Sequence, residues 1–183
     1  MKRLILASNS PRRKEILTKL GFSFEVMPSF VDESFSSKLD VYQNVMLTAK
    51  HKANDIYNKN QDADVIGADT IVVYNNIVFG KPKSEEAARR MLRILSDNTH
   101  QVITGVCIIK DGKEYNYYEE SIVKFNKISE EDIDWYIETK EPMDKAGAYA
   151  IQGLGSKFVK YYNGEFETIV GLPINRLKQI FGN

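Results

Sequence analysis

The chain has 183 residues, with 25 Lys and Arg against 25 Asp and Glu, so its formal net charge is zero and nothing global directs it to nucleic acid or an acidic membrane. Cys107 is the only cysteine, which excludes an internal disulfide and a thiolate metal cluster, and its apolar neighbours mark it as an inert core residue. Two histidines, His51 and His100, are too few for a His-rich metal centre and offer no obvious Ser-His-Asp relay; any metal must be held by oxygen, which favours Mg²⁺ or Mn²⁺.

Leu4-Ile5-Leu6-Ala7 predicts a short buried strand that runs through the polar turn Ser8-Asn9-Ser10 into a helix. Ser10 suits the N-cap, Pro11 the first helical position, Ile16, Leu17 and Leu20 the buried stripe, and Gly21 the stop. The first turn of that helix carries Arg12 and Arg13. Cations there oppose the helix dipole, while unpaired N–H groups and two guanidiniums together suit an anionic oxygen, so the segment reads as a phosphate site. Over the first twenty residues Lys2, Arg3, Arg12, Arg13, Lys14 and Lys19 face only Glu15, a basic patch on the scale of a small anion.

Phe22–Met27 alternates like a strand, and residues 28–40 form a polar, Ser-rich loop carrying Asp32 and Glu33. A helix is predicted from about Val41 to Tyr57; Lys50 and Lys52 border its apolar stripe on opposite flanks, and helical spacing alone does not decide which one turns inward. Asp64–Tyr74 reads as a central strand that turns at Asn75-Asn76 into Ile77-Val78-Phe79. Asp69 interrupts its apolar run. Burying an unpaired carboxylate costs several kcal/mol, so Asp69 must reach a cleft, a cation or strong donors; the alternative is a structural cap at a kink beside Gly67. Lys81 follows, fixed between Gly80 and Pro82.

Ser84–Leu95 reads as a capped amphipathic helix, residues 101–109 and 115–125 as a hairpin around Asp111-Gly112, and Ser129 opens a helix to about Glu138. Residues 144–155 join small residues, two charges and Gln152 in a loop whose backbone can approach a ligand closely. A last hairpin is predicted from Phe158–Tyr161 and Phe166–Val170 across Asn163-Gly164, then a terminal helix through Phe181. Interleaved strands and helices without repeats give an α/β class with a mixed sheet. The length suits one domain, 1–183, in one body or two lobes around a cleft. No signal-peptide core and no apolar run of membrane length is visible, so a cytoplasmic location is expected.

Ala7-Ser8-x-Ser10-Pro11-Arg12-Arg13, Val31-Asp32-Glu33, Lys52-Ala53, Gly67-Ala68-Asp69-Thr70, Gly80-Lys81-Pro82, Asp144-Lys145-Ala146-Gly147, Ile151-Gln152-Gly153 and Val170-Gly171-Leu172-Pro173 occur in order across nearly the whole chain. Together they resemble the Maf family. The resemblance implies a nucleoside triphosphate pyrophosphatase, linked in name to septum formation. It implies an elongated twisted mixed sheet flanked by helices, with two lobes around a cleft, as in inosine triphosphate pyrophosphatases. It also implies a divalent cation and a homodimer. Arg12, Thr70 and Gln152 match the branch acting on dTTP and UTP, which places them at the nucleobase.

In that reading Ser8, Ser10, the helix start and Arg13 hold the phosphate chain, and Lys52 and Lys81 compensate charge on the leaving pyrophosphate. Asp69 acts as base or metal ligand, and Glu33 is the next candidate ligand. The family often has an asparagine shortly before the Val-Gly-Leu-Pro element, where this chain has Thr168. A second reading keeps the same pocket for a nucleotide-binding regulator of cell division with incidental hydrolysis. A kinase is disfavoured, because no Gly-x-x-x-x-Gly-Lys-Ser/Thr loop is present.

Overall fold

Strand β1 (Leu4–Leu6) is apolar and buried at all three positions, as the parallel part of a sheet covered on both faces requires. The computed structural model of the protein describes residues 2–182. After β1 come α1 (Pro11–Lys19), β2 (Glu25–Val26), α2 (Val41–Tyr57), β3 (Asp64–Tyr74), β4 (Ile77–Phe79), α3 (Glu85–Leu95), β5 (Thr99–Lys110), β6 (Lys113–Phe125) and α4 (Glu130–Glu138). Three 3-10 turns (Glu141–Asp144, Ala146–Ala148 and Leu154–Phe158) lead to β7 (Val159–Asn163), α5 (Phe166–Val170) and α6 (Asn175–Phe181).

The strands form one seven-stranded mixed sheet in the order β2-β1-β3-β5-β6-β7, with β4 paired to β3, and helices flank it. β1 runs parallel to β2 and β3; β4 is antiparallel to β3, and β7 to β6. The expected α/β class is therefore the observed one. Asn75 and Asn76 take φ of 48° and 61°, and Asp111 and Gly112 take 52° and 77°, the left-handed pairs that two-residue hairpin turns require.

Two expectations are corrected. The strand read over 22–27 is confined to Glu25–Val26, the stretch that finds parallel partners on β1, and Arg3, just before β1, holds Glu25 there. The predicted final hairpin is absent. β7 pairs with β6 instead, and Phe166–Val170 is a short helix. Its β-branched residues suit a strand in isolation, but helical geometry buries Thr168 and Ile169 together, and Ser121 Oγ on β6 donates to the carbonyl of Glu165 at its start.

By its contacts the chain divides into two units, one of residues up to Thr70, Thr104–Glu119 and from Gly171 on, the other of Ile71–Ile103 and Glu120–Val170. The first has a small-residue core of Ile5, Ala7, Ala49, Ala53, Val65 and Cys107 beside α2. Burial pushes the Cys107 thiol up to about 12, in keeping with the inert role expected of it. The second unit packs α3 and α4 around Leu92, Leu95, Phe125, Ile133, Tyr136, Tyr149 and Phe158. No helix among the described residues is long and apolar enough to cross a membrane.

Candidate functional site

Eight of the sequence-predicted residues lie in the first unit: Ser8, Ser10, Arg12, Arg13, Glu33, Lys52, Asp69 and Thr70. The N–H of Ala7 donates to the Ile66 carbonyl at 2.8 Å, extending the β1–β3 pairing to the turn where Ser8 sits. Ser8 Oγ accepts from the Ser10 N–H at 3.2 Å and from Arg13 Nη1 at 3.1 Å, and Ser10 caps α1 by accepting from the Arg13 N–H. Arg12 is half-buried in the first turn. Arg13 is only 9% exposed. Its Nε donates to the Gly171 carbonyl at 2.8 Å and its Nη2 to Thr70 Oγ1 at 3.1 Å, so three separate segments fix one guanidinium plane. Thr70 Oγ1 is also 2.9 Å from Thr104 Oγ1 on β5. Burial draws the Arg13 pKa down to about 10, Asp69 and Glu33 raise it and the charge on Arg12 lowers it; the group stays cationic at neutral pH.

The second cluster is built by the docking of α2. Asp40 and Gln43 cap the helix with a reciprocal box. A Cβ on Gly67 would lie 2.5 Å from the Ala49 carbonyl oxygen, and one on Gly105 2.5 Å from that of Val45, so the helix backbone rests directly on β3 and β5. Asp69 follows Gly67 by two residues and shares its face of the strand. Lys52 thereby reaches it: Nζ is 3.1 Å from Asp69 Oδ1 and 2.8 Å from Glu33 Oε1. Lys52 is 7% exposed and Asp69 8%, so of the alternatives open in the sequence Asp69 has met a cation. Lys50, on the other flank, pairs with Glu114 at the surface.

Sequence reasoning passed over the residues that hold this arrangement. Asn44 is buried on α2; its Oδ1 accepts from the Ser36 N–H, and its Nδ2 donates to the carbonyls of Ser36, Leu39 and Asp40, anchoring the loop that carries Glu33. On the same loop Asp32 accepts from the Ser34 N–H and hydroxyl, which hold its carboxyl below the usual range. The available signal for Asn44 was an amide in line with Thr48 and Lys52 at helical spacing, a polar row along the buried face. The carbonyl of Gly171 and the hydroxyl of Thr104 carried none, because their roles depend on long-range contacts.

Lys81 and Gln152 belong to the second unit, and both are exposed there. Lys81 leaves the end of β4 where the Gly147 N–H donates to the Gly80 carbonyl at 3.2 Å. Gln152 occupies the turn between two of the 3-10 segments.

The first unit thus offers a buried cation beside a helix N-terminus and, separately, a buried ammonium shared by two carboxylates. Among the described residues no group of three or more His, Cys, Asp or Glu could hold a metal by itself. Glu33 and Asp69 nevertheless gather two hard oxygens around one positive charge. Such a pair suits Mg²⁺ or Mn²⁺ when phosphate oxygens and water complete the shell.

A family model described as "Maf-like protein" matches residues 3–183. A dTTP/UTP pyrophosphatase of Bacillus cereus is 48% identical over 97% of this chain and 87% of its own length. One from Caldicellulosiruptor bescii is 50% identical over 97% of this chain and 92% of its own. Another, from Bacillus anthracis, is 46% identical over 97% and 93%.

Proposed function

The chain belongs to the Maf family, and from that premise we propose that it is a nucleoside triphosphate pyrophosphatase acting on dTTP and UTP. The observation that carries the reading is the buried Lys52, bridging Asp69 and Glu33 in the same unit as a buried, cationic Arg13. Burying charges is costly even when they are paired, and two fixed cations in one unit suit a polyanion. Names of the relatives are those of enzymes, which does not favour a regulator that only binds nucleotide.

In the reaction water attacks the α-phosphorus, the bond from that phosphorus to the α–β bridging oxygen breaks, and nucleoside monophosphate and pyrophosphate leave. Ser8, Ser10, the start of α1 and Arg13 hold the phosphate chain; Arg13, already fixed by Gly171, Ser8 and Thr70, offers its other N–H bonds to phosphate oxygens. Lys52 and Lys81 offset charge that moves onto the leaving pyrophosphate. Asp69 orients the attacking water or takes its proton. Glu33 and Asp69 would hold Mg²⁺ or Mn²⁺, which supplies charge neutralisation along the phosphates. Arg12, Thr70 and Gln152 are assigned to the base, where an amide and a hydroxyl can pair with the polar edge of thymine or uracil. A homodimer, as the family resemblance implies, belongs to the same proposal.

Incubation with Mg²⁺ or Mn²⁺ and a panel of nucleoside triphosphates tests it. Monophosphate with pyrophosphate from dTTP or UTP is the expected result. Diphosphate with orthophosphate would move the attack to another phosphorus, and tight binding without turnover would favour the regulator.

A further inference from the structure

Gln152 sits in a turn whose two sides end on one carboxylate in the second unit. Beyond Gln152, the Leu154 N–H donates to Glu141 Oε1 at 3.1 Å and the Gly155 N–H to Glu141 Oε2 at 3.0 Å. Before it, the Ala150 N–H donates to Tyr136 Oη at 3.0 Å, and that hydroxyl donates in turn to Glu141 Oε2 at 2.6 Å. The turn is closed by the Gly153 N–H on the Ala150 carbonyl. Tyr136 is fully buried on α4 and meets Phe158 edge-on, so the clamp is fastened to the core of its unit.

The approach is possible only without side chains. A Cβ on Gly153 would lie 2.1 Å from Glu141 Oε1, and one on Gly155 would lie 2.7 Å from Tyr136 Oη. Ala150, Ile151 and Gly155 are buried while Gln152 is exposed, so the clamped backbone presents one amide outward. Burial pushes the Glu141 carboxyl up, but the hydrogen bonds from Tyr136, Leu154 and Gly155 outweigh it and keep the group ionised at neutral pH.

We infer that Glu141 is a positioning residue for nucleobase discrimination: through Tyr136 and the backbone of residues 150–155 it sets the direction from which Gln152 meets the base, without touching substrate itself. The inference rests on the assignment of Gln152 to the base. Loop anchoring of this kind acts on affinity and selectivity, since it sets whether a polar contact to the base is made while the groups at phosphorus stay where they are.

The test is steady-state kinetics with UTP, dTTP and GTP on the full chain and on Glu141→Gln, Tyr136→Phe, Gln152→Ala and the Glu141→Gln/Gln152→Ala double variant. Glu141→Gln is expected to raise KM for UTP and dTTP by about ten- to a hundredfold with kcat near its starting value, narrowing the preference over GTP as Gln152→Ala does. The double variant should be little worse than the poorer single one, as expected of residues acting through one another. Tyr136→Phe, which keeps the carboxylate and the ring, should give a smaller loss of the same kind and carries the test if Glu141→Gln does not fold. Loss of preference in Gln152→Ala with full preference in both Glu141→Gln and Tyr136→Phe would overturn the positioning role and leave Gln152 at the base. So would an equal fall in kcat for every nucleotide with the KM ratios unchanged. Full preference in Gln152→Ala would remove the base assignment and the inference with it.

Discussion

In the first unit Lys52, Asp69 and Arg13 are buried as charges, each 9% exposed or less, whereas the deepest polar groups of the second unit are neutral. There His100 Nε2 lies 2.7 Å from Tyr149 Oη, and both rings pack edge-on with Phe125. Burial draws the His100 pKa down to about 4, so the imidazole enters the core uncharged. The neutral pair shares one hydrogen bond and aromatic packing, tolerates an unpartnered His100 Nδ1, and serves the fold. Desolvated charges are stabilising only in good geometry, and a hydrophobic replacement is often as stable, so their retention points to chemistry.

The strongest way to break this contrast is Asp69→Asn. Turnover should fall by roughly a hundred- to ten-thousandfold, while thermal melting changes little because Glu33 still meets the Lys52 ammonium. Near-normal turnover would reduce the cluster to a structural ion pair. Lys52→Met comes next: it leaves Asp69 buried without its cation and should lower stability by about 3–5 kcal/mol, as read by denaturant titration, together with lost activity.

On the neutral side the lever is pH. The His100 pKa is about 4 when folded against 6.5 for the free group. As pH falls below 6.5 the unfolded chain takes up a proton that the folded chain refuses until about 4, so stability drains through that window and the loss levels off beneath it. The difference between wild type and His100→Gln in denaturation midpoints from pH 7 to pH 4 should show it, with the variant losing less on acidification. Equal slopes would mean that His100 does not govern that window. Smallest of all is Lys50→Met, two residues from Lys52 but paired with Glu114 at the surface; it should cost under about 1 kcal/mol and leave turnover unchanged.

How much of this was legible in the sequence depended on the range of the forces involved. Helix α2 and both two-residue turns follow from local period and from the left-handed pairs Asn75-Asn76 and Asp111-Gly112, and they match the structure closely. Phe166–Val170 was misread because its β-branched run is decided by burial of Thr168 and Ile169 rather than by propensity. Asp69 and Arg13 were conspicuous as charges in apolar or dipole-opposed settings. The choice of Lys52 over Lys50 came from the family resemblance and not from helical spacing, which cannot supply the contact of α2 with Gly67. Nor could the partners of Arg13 be read, as Gly171 lies 158 residues away in sequence.

That contact has a consequence for how the protein can vary. With Gly67 and Gly105 admitting the helix backbone onto β3 and β5, the spacing is a hard stop rather than a balance among side chains. Substitutions on the outer face of α2 can accumulate without passing any displacement inward to the ammonium. A single methyl at Gly67 acts the other way, as a wedge between strand and helix that would carry Lys52 away from Asp69. The chain thus separates a surface free to drift from a site whose dimensions are held by two missing side chains.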